Sequence, residues 1–258
     1  MTGTPMLTVH RRGDSTEIEL AGLLTDSEVA GGSPELEAAA VTEVTALMTS
    51  TDVAGTTLHL AADHPAGELL KLPEAVADAT GFTNRRDLLQ LRRPLPIPAD
   101  HPARDGKTLA GIRAFQPERD LEAWIRANNR SFAQHPDQGQ ETAATVADRM
   151  AESWFDADDF LVLDDTARPG ELAGFCWTKV HPATDDDPAM GEIYVIGVDP
   201  ANAGQGLGTP LVLAGLDHLA AKGLTVTNLY VEADNAPALR LYDRLDFEIH
   251  TRRRVYTR

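Results

Sequence analysis

"NAGQGLGTPLVLAGLDHLAAKG" (Asn202–Gly223) places glycines at 204, 206 and 208 and then runs straight into an amphipathic helix. A glycine-rich turn at a helix N-terminus leaves backbone N–H groups free. The positive end of the helix dipole points the same way, so such a turn suits a phosphate. Three glycines are more than a plain tight turn before a helix needs. A nucleotide P-loop requires Gly-Lys-Ser/Thr, whereas Gly208 is followed by Thr209 and Pro210, which argues against a triphosphate. A dinucleotide turn requires Gly-x-Gly-x-x-Gly and an acidic residue about 20 positions further on. The glycine spacing here is wrong by one, although the next strand does end in Glu232 and Asp234.

Charge narrows the choice of phosphate. The 258 residues carry 23 Lys and Arg against 40 Asp and Glu, a net charge of −17. Such a field repels nucleic acid and anionic membrane, so an anionic ligand has to be held by local backbone dipoles. No stretch approaches the roughly 18–20 apolar residues that span a bilayer, and the N-terminus lacks the apolar run of a signal peptide. One cysteine, Cys176, forms no internal disulfide and no metal-binding pattern. The expectation is a cytoplasmic, monomeric globular protein that needs no metal and acts on a small molecule, with neither nucleic acid nor membrane as partner.

Along the chain, "RRPLPIPADHPARDGK" (Arg92–Lys107) carries four prolines and reads as an extended linker. Before it, "SPELEAAAVTEVTALM" predicts a helix with Ser33 as N-cap, and "TTLHLAAD" and "RDLLQLRR" predict strands. After it, "DLEAWIRANNRSFA" and "ETAATVADRMAESWF" have helical spacing. "DFLVLDD", "ELAGFCWTKV", "GEIYVIGVDP", "LTVTNLYVEAD" and "TRRRVYT" read as strands, with "NAPALRLYDRL" a short helix. "LHLAADHPA" from Leu58 resembles "LYVEADNAPA" from Leu229. Each leads into a short helix, a Phe (Phe82, Phe247) and a strand with paired arginines, the pattern of two copies of one fold in tandem. Where the second copy has its glycine turn, the first offers only "VAGGSPEL".

The segment Gly191–Phe247 resembles the GNAT N-acetyltransferase family. The family pattern Gln/Arg-x-x-Gly-x-Gly/Ala between a strand and a helix is matched by "GEIYVIGVDPANAGQGLGTPL", with Gly206 and Gly208 in register. "LYVEADNAPALRLYDRLDF" is similar to the family's next strand, its Asn, a helix carrying Leu-Tyr and a closing Gly-Phe. Ala203 stands where the family has Gln or Arg, and Asp246 where it has Gly. Asp tolerates the left-handed conformation that a glycine there serves. The resemblance implies that the phosphate is the pyrophosphate of acetyl-CoA. It implies CoA contacts from Ile196, Gly197 and Val198 on the strand, and from Ala203, Gly204, Gln205, Gly206, Leu207, Gly208 and Thr209 in the turn. Asn235, Ala236, Pro237, Ala238, Leu239 and Arg240 complete the set.

Within that family, "NNRSFAQHPDQG", "AESWFDADDFLVL", "GFCWTKVHP" and "GEIYVIGVDP" resemble the C-terminal half of the mycothiol acetyltransferases. That resemblance implies an α+β fold of two tandem GNAT-like domains with mixed central sheets. The N-terminal domain (1–95) reads as shortened and degenerate, followed by a linker (96–110) and the catalytic domain (111–258). It implies acetyl transfer from acetyl-CoA to the cysteinyl amine of a cysteine–glucosamine–inositol conjugate. An amine is mostly ammonium at neutral pH, so a base must act before attack. Glu192 would be that base, and Tyr242 would protonate the departing thiolate. Asp137, Lys179, Glu192 and Tyr230 would hold the acceptor. Two alternatives stay open: an acetyltransferase for another small-molecule or peptide amine, and a non-catalytic CoA-binding module.

Overall fold

The computed structural model describes residues 7–12, 15–19, 34–49, 57–65, 71–107, 110–134, 138–185 and 187–258. In chain order the elements begin with β1 (Thr8–Arg12), β2 (Ser15–Glu19), α1 (Pro34–Met48), β3 (Thr57–Pro65), α2 (Lys71–Thr80) and β4 (Asn84–Pro94). Then come β5 (Ile112–Ala114), α3 (Pro117–Ser131), α4 (Ala143–Met150), β6 (Phe160–Asp164), β7 (Leu172–His181) and β8 (Met190–Val198). Last are α5 (Gly208–Ala221), β9 (Val226–Glu232), α6 (Ala236–Asp243) and β10 (Glu248–Thr257). These elements pack as two compact units. One takes the described residues up to Leu91 with Val231–Leu239 and Ile249–Arg258; the other takes Arg92–Tyr230 and Arg240–Glu248. Neither unit is a single run of chain.

In the first unit the strand order is β1-β2-β3-β10-β4. β2 and β3 are parallel, and β10 lies antiparallel to β3 with Tyr256 opposite Leu60. Ile18, Leu60, Val76, Phe82 and Tyr256 are buried together, with Ala40 and Val44 of α1, four residues apart and so on one helix face. The terminal strand is also held by charge, because Arg252 and Arg254 both donate to the Asp87 carboxylate. The two stretches that resemble each other in sequence have the same element order. β3, α2, Phe82 and β4 match β9, α6, Phe247 and β10.

In the second unit the order is β9-β8-β7-β6-β5, antiparallel except for the parallel β8–β9 pair, so the sheet is mixed. β7 is buried from Leu172 to Thr178, which explains its near-continuous apolar run. Cys176 and Ile193 face α5, where Gly215 is needed. A Cβ there would come within 2.7 Å of the Cys176 sulfur and 2.9 Å of Ile193 Cδ1. On the other face Trp177 stacks on Phe160 at 4.5 Å, and Trp124 of α3 meets Phe160, Phe175 and Trp177 edge-on. Aromatic pairs in these geometries add to the area they bury.

Two expectations are modified. The helix read over 141–155 is only Ala143–Met150, opened by a Thr142–Thr145 capping box. Trp154 and Phe155 lie beyond its end because their rings pack on Trp177, 5.8 Å away in both cases. The proline-rich stretch is bound to the second unit along its length. β4 reaches Pro94, Leu95 N–H donates to Thr225, Ile97 is buried, and Arg104 grips Asp217 of α5 with both amino groups. Ser33 and most of "VAGGSPEL" lie outside the described residues.

Candidate active site

The site is built on a strand defect. On β7–β8, Trp177 pairs with Val195 and Thr178 with Ile193, leaving Tyr194 as an extra residue on β8. A bulge bends and twists its strand. The parallel ladder to β9 accordingly covers only Gly191–Thr227, Glu192–Asn228 and Ile193–Leu229, although β8 continues to Val198. From Tyr194 onward the β9-facing edge of β8 has no ladder partner among the described residues, and Ile196, Gly197 and Val198 lie on that edge. Gly197 also serves packing, because a Cβ there would lie 2.5 Å from the Phe175 ring.

Beyond β8 the chain turns through Pro200–Asn202, capped by the Asp199 side chain accepting the Ala201 N–H at 2.9 Å. Arg130 of α3 and Arg168 of the β6–β7 turn donate to the same carboxylate at 2.7 and 3.0 Å, and Arg168 also reaches Asn202 Oδ1 at 2.9 Å. Burial alone would raise the Asp199 carboxyl, but Ala201 and the two guanidinium groups together hold it below the usual carboxylate range. Sequence reading found the Val-Asp-Pro exit but not this clamp, whose arginines are 69 and 31 residues away.

The glycine turn follows. Ala203 donates its N–H to Pro200, while the N–H groups of Gly204, Gln205, Gly206 and Leu207 have no partner among the described residues. Gly204 and Gly206 adopt φ of +78° and +73°, a region that penalises any side chain. No side chain caps α5, so its first N–H groups also stay free. The Lys107 ammonium lies 3.7 Å from where a Gly206 Cβ would be. It supplies a cation beside the turn, which Ala203 does not. The residues present therefore fit a pyrophosphate. Asn235 accepts the Ala238 N–H at 3.2 Å and is the N-cap of α6, whose residues Ala236–Leu239 are assigned to the first unit and Arg240 to the second.

Lys179, Glu192 and Asn228 form one rung across β7, β8 and β9, so their side chains share a face. Glu192 is buried, and its Oε2 lies 2.6 Å from His181 Nε2. An ionised carboxylate only accepts, so that imidazole nitrogen carries the hydrogen. The Lys179 ammonium sits over the Trp154 ring at 4.3 Å and the Tyr194 ring at 5.4 Å. Tyr230, two residues along β9 from Asn228, is half-exposed on the same face. The structure thus brings Lys179, Glu192 and Tyr230 together and adds His181 and Asn228, which sequence reading did not assign. For His181, the i, i+2 spacing from Lys179 on a strand was the available signal. Asp137 lies outside the described residues.

Tyr242 is buried in the second unit, edge-on to Phe247 at 5.6 Å. Burial, with a smaller contribution from Cys176, pushes its hydroxyl above the ordinary value, so it stays a neutral proton donor. Burial likewise pushes the Cys176 thiol up to about 12, which makes it inert as a nucleophile at neutral pH. Among the described residues no group of His, Cys, Asp and Glu is placed to hold a metal ion, and no helix is long and apolar enough to cross a membrane.

Comparison with known proteins places the chain in a family. The chain is 44% identical over 187 residues to the mycothiol acetyltransferase of Kocuria rhizophila, covering 72% of this chain and 60% of the relative. It is 49% identical over 172 residues to that of Acidimicrobium ferrooxidans, covering 67% and 54%. The chain therefore spans less than two thirds of the length of these relatives. Among solved structures, a GCN5-related N-acetyltransferase from Sphaerobacter thermophilus is similar with a TM-score of 0.67 at 18% identity, over 98% of this chain and 75% of that one. A tandem GNAT protein from the clavulanic acid biosynthesis pathway gives 0.57 at 16%, over 98% and 78%. At such identities these two speak for the fold alone. The model of the acetyltransferase (GNAT) family matches residues 105–247, more than half of the chain; the chain belongs to the GNAT acetyltransferase family.

Proposed function

We propose that this protein transfers acetyl from acetyl-CoA to the cysteinyl amine of a cysteine–glucosamine–inositol conjugate; the relatives it matches are named mycothiol acetyltransferases. The observation that carries the reading is Glu192: a buried carboxylate on β8, two residues before the bulge that ends the ladder to β9. Acetyl-CoA, when bound, supplies the acetyl group as a thioester. The free N–H groups of Gly204–Leu207, the α5 N-terminus and Lys107 would hold its pyrophosphate, with further contacts from Gly208, Thr209 and Arg240. The unpaired edge at Ile196–Val198 would hydrogen-bond the pantetheine arm.

Glu192 takes one proton from the acceptor's ammonium, exposing the nitrogen lone pair. His181 holds the carboxylate in place through Oε2 and leaves Oε1 to face the amine. Tyr242, kept neutral by burial, gives its proton to the sulfur as the C–S bond breaks. It is reprotonated as the new amide nitrogen loses its second proton. Lys179 and Tyr230 line the acceptor side, with Asp137 as a further contact. We read the first unit as a shortened, degenerate copy of the same fold, on the strength of the matching element order. The test is to mix the protein with acetyl-CoA and the conjugate and follow the free thiol of CoA. Thiol release that depends on both substrates supports the proposal, and release no faster than without the conjugate overturns it.

A further inference from the structure

Among the described residues, the side-chain atoms Trp124 Nε1, Trp177 Nε1, Thr227 Oγ1 and Asn228 Oδ1 are buried without a hydrogen-bond partner. The two indoles lie inside the aromatic cluster, and Thr227 faces α5 with its register partner Gly191. Asn228 differs in its surroundings. It is 3% exposed and sits on the same rung and face as Glu192. Neighbouring strands are about 4.8 Å apart, so the Asn228 and Glu192 side chains are neighbours on that face. A buried amide oxygen left unpaired costs folding free energy. A partner that arrives from outside the chain removes that cost.

We propose that Asn228 is an acceptor-binding residue whose Oδ1 accepts a hydrogen bond from the primary amine that Glu192 deprotonates. This rests on the function proposed above and adds a determinant of its substrate class. The chemistry of the pair selects the ligand. Two acceptors side by side favour a group that carries more than one N–H. A primary ammonium has three. After one proton passes to Glu192, an N–H remains for Asn228, and that bond turns the lone pair away from the strand.

The test compares Asn228→Leu, close to isosteric, and Asn228→Ala with the wild type, measuring KM for the acceptor and for acetyl-CoA separately. Loss of one hydrogen bond to a charged group is expected to raise the acceptor KM roughly 10- to 100-fold in both variants, with acetyl-CoA KM changed less than about twofold. The melting temperature of Asn228→Leu should equal or exceed that of the wild type, because an unpaired polar atom has been replaced by an apolar one. An unchanged acceptor KM in either variant overturns the proposal, as does an equal rise in both constants or failure of both variants to fold. Wild-type turnover of the conjugate is measured first. Its absence overturns the acceptor named above, and the same comparison is then made with glucosamine or a peptide N-terminus. Turnover of no primary amine overturns both proposals.

Discussion

At the scale of the single residue, the proposed chemistry rests on Glu192. Glu192→Gln keeps the shape and the contact with His181 but accepts no proton. Acetyl transfer near pH 7 is expected to fall roughly 10²-fold or more. Part of the loss should return at higher pH, where free amine is more abundant, and acetyl-CoA affinity should stay unchanged; a near-full rate across pH sinks the assignment. In the proposed mechanism His181 is a positioning residue, through its contact with Glu192. His181→Ala should lower kcat with little change in acetyl-CoA KM, and His181→Gln, which restores an N–H donor, should recover part of the rate. Glu192, Tyr242 and Lys179 became candidates through the family resemblance, which short local stretches of sequence carry. The Glu192–His181 bond was not legible in the sequence, since it depends on the register between two strands.

At the scale of the element, the glycine turn and the helix behind it act as one device. Gly206→Val forces a branched side chain into φ of +73° beside Lys107. It should raise the acetyl-CoA KM at least tenfold while the acceptor KM moves little; equal effects on both would mean the turn does not hold the phosphate. Lys107→Ala should raise the acetyl-CoA KM by a few-fold, more at low ionic strength than at high, because an exposed cation is screened by salt. The left-handed Asp246, at φ of +55°, was expected from the family resemblance, which has a glycine at that position. The Tyr194 bulge was not readable, because nothing in "GEIYVIGVDP" marks which residue its neighbour leaves unpaired.

At the scale of the whole molecule, ion pairs set the response to acid. Arg254 and Arg252 hold Asp87 below the usual carboxylate range, Arg113 and Arg119 do the same for Asp164, and Arg130 and Arg126 for Glu171. A depressed folded-state value stabilises the fold above the ordinary carboxylate pKa and is lost as pH falls through the depressed one. Denaturant midpoints should therefore drop steadily from about pH 5 downward, and Asp199→Asn should flatten part of that slope. Midpoints that stay level down to pH 3 would contradict the pairing. Calorimetric titration should find one acetyl-CoA per chain, because the second unit holds the glycine turn; two equivalent tight sites would overturn the reading of the first unit as degenerate.

The sequence by itself determined the strand–turn–helix around Gly204–Gly208, the α+β alternation and the family. These follow from period, turn chemistry and glycine placement, all properties of near neighbours along the chain. Tertiary structure alone decided that Lys107 stands beside Gly206, that Arg130 and Arg168 close on Asp199, and that Asn228 lies buried next to Glu192. It also decided that β10 completes the first unit by pairing with β3. Each of these joins residues far apart in the chain through packing and strand register, which no local pattern encodes.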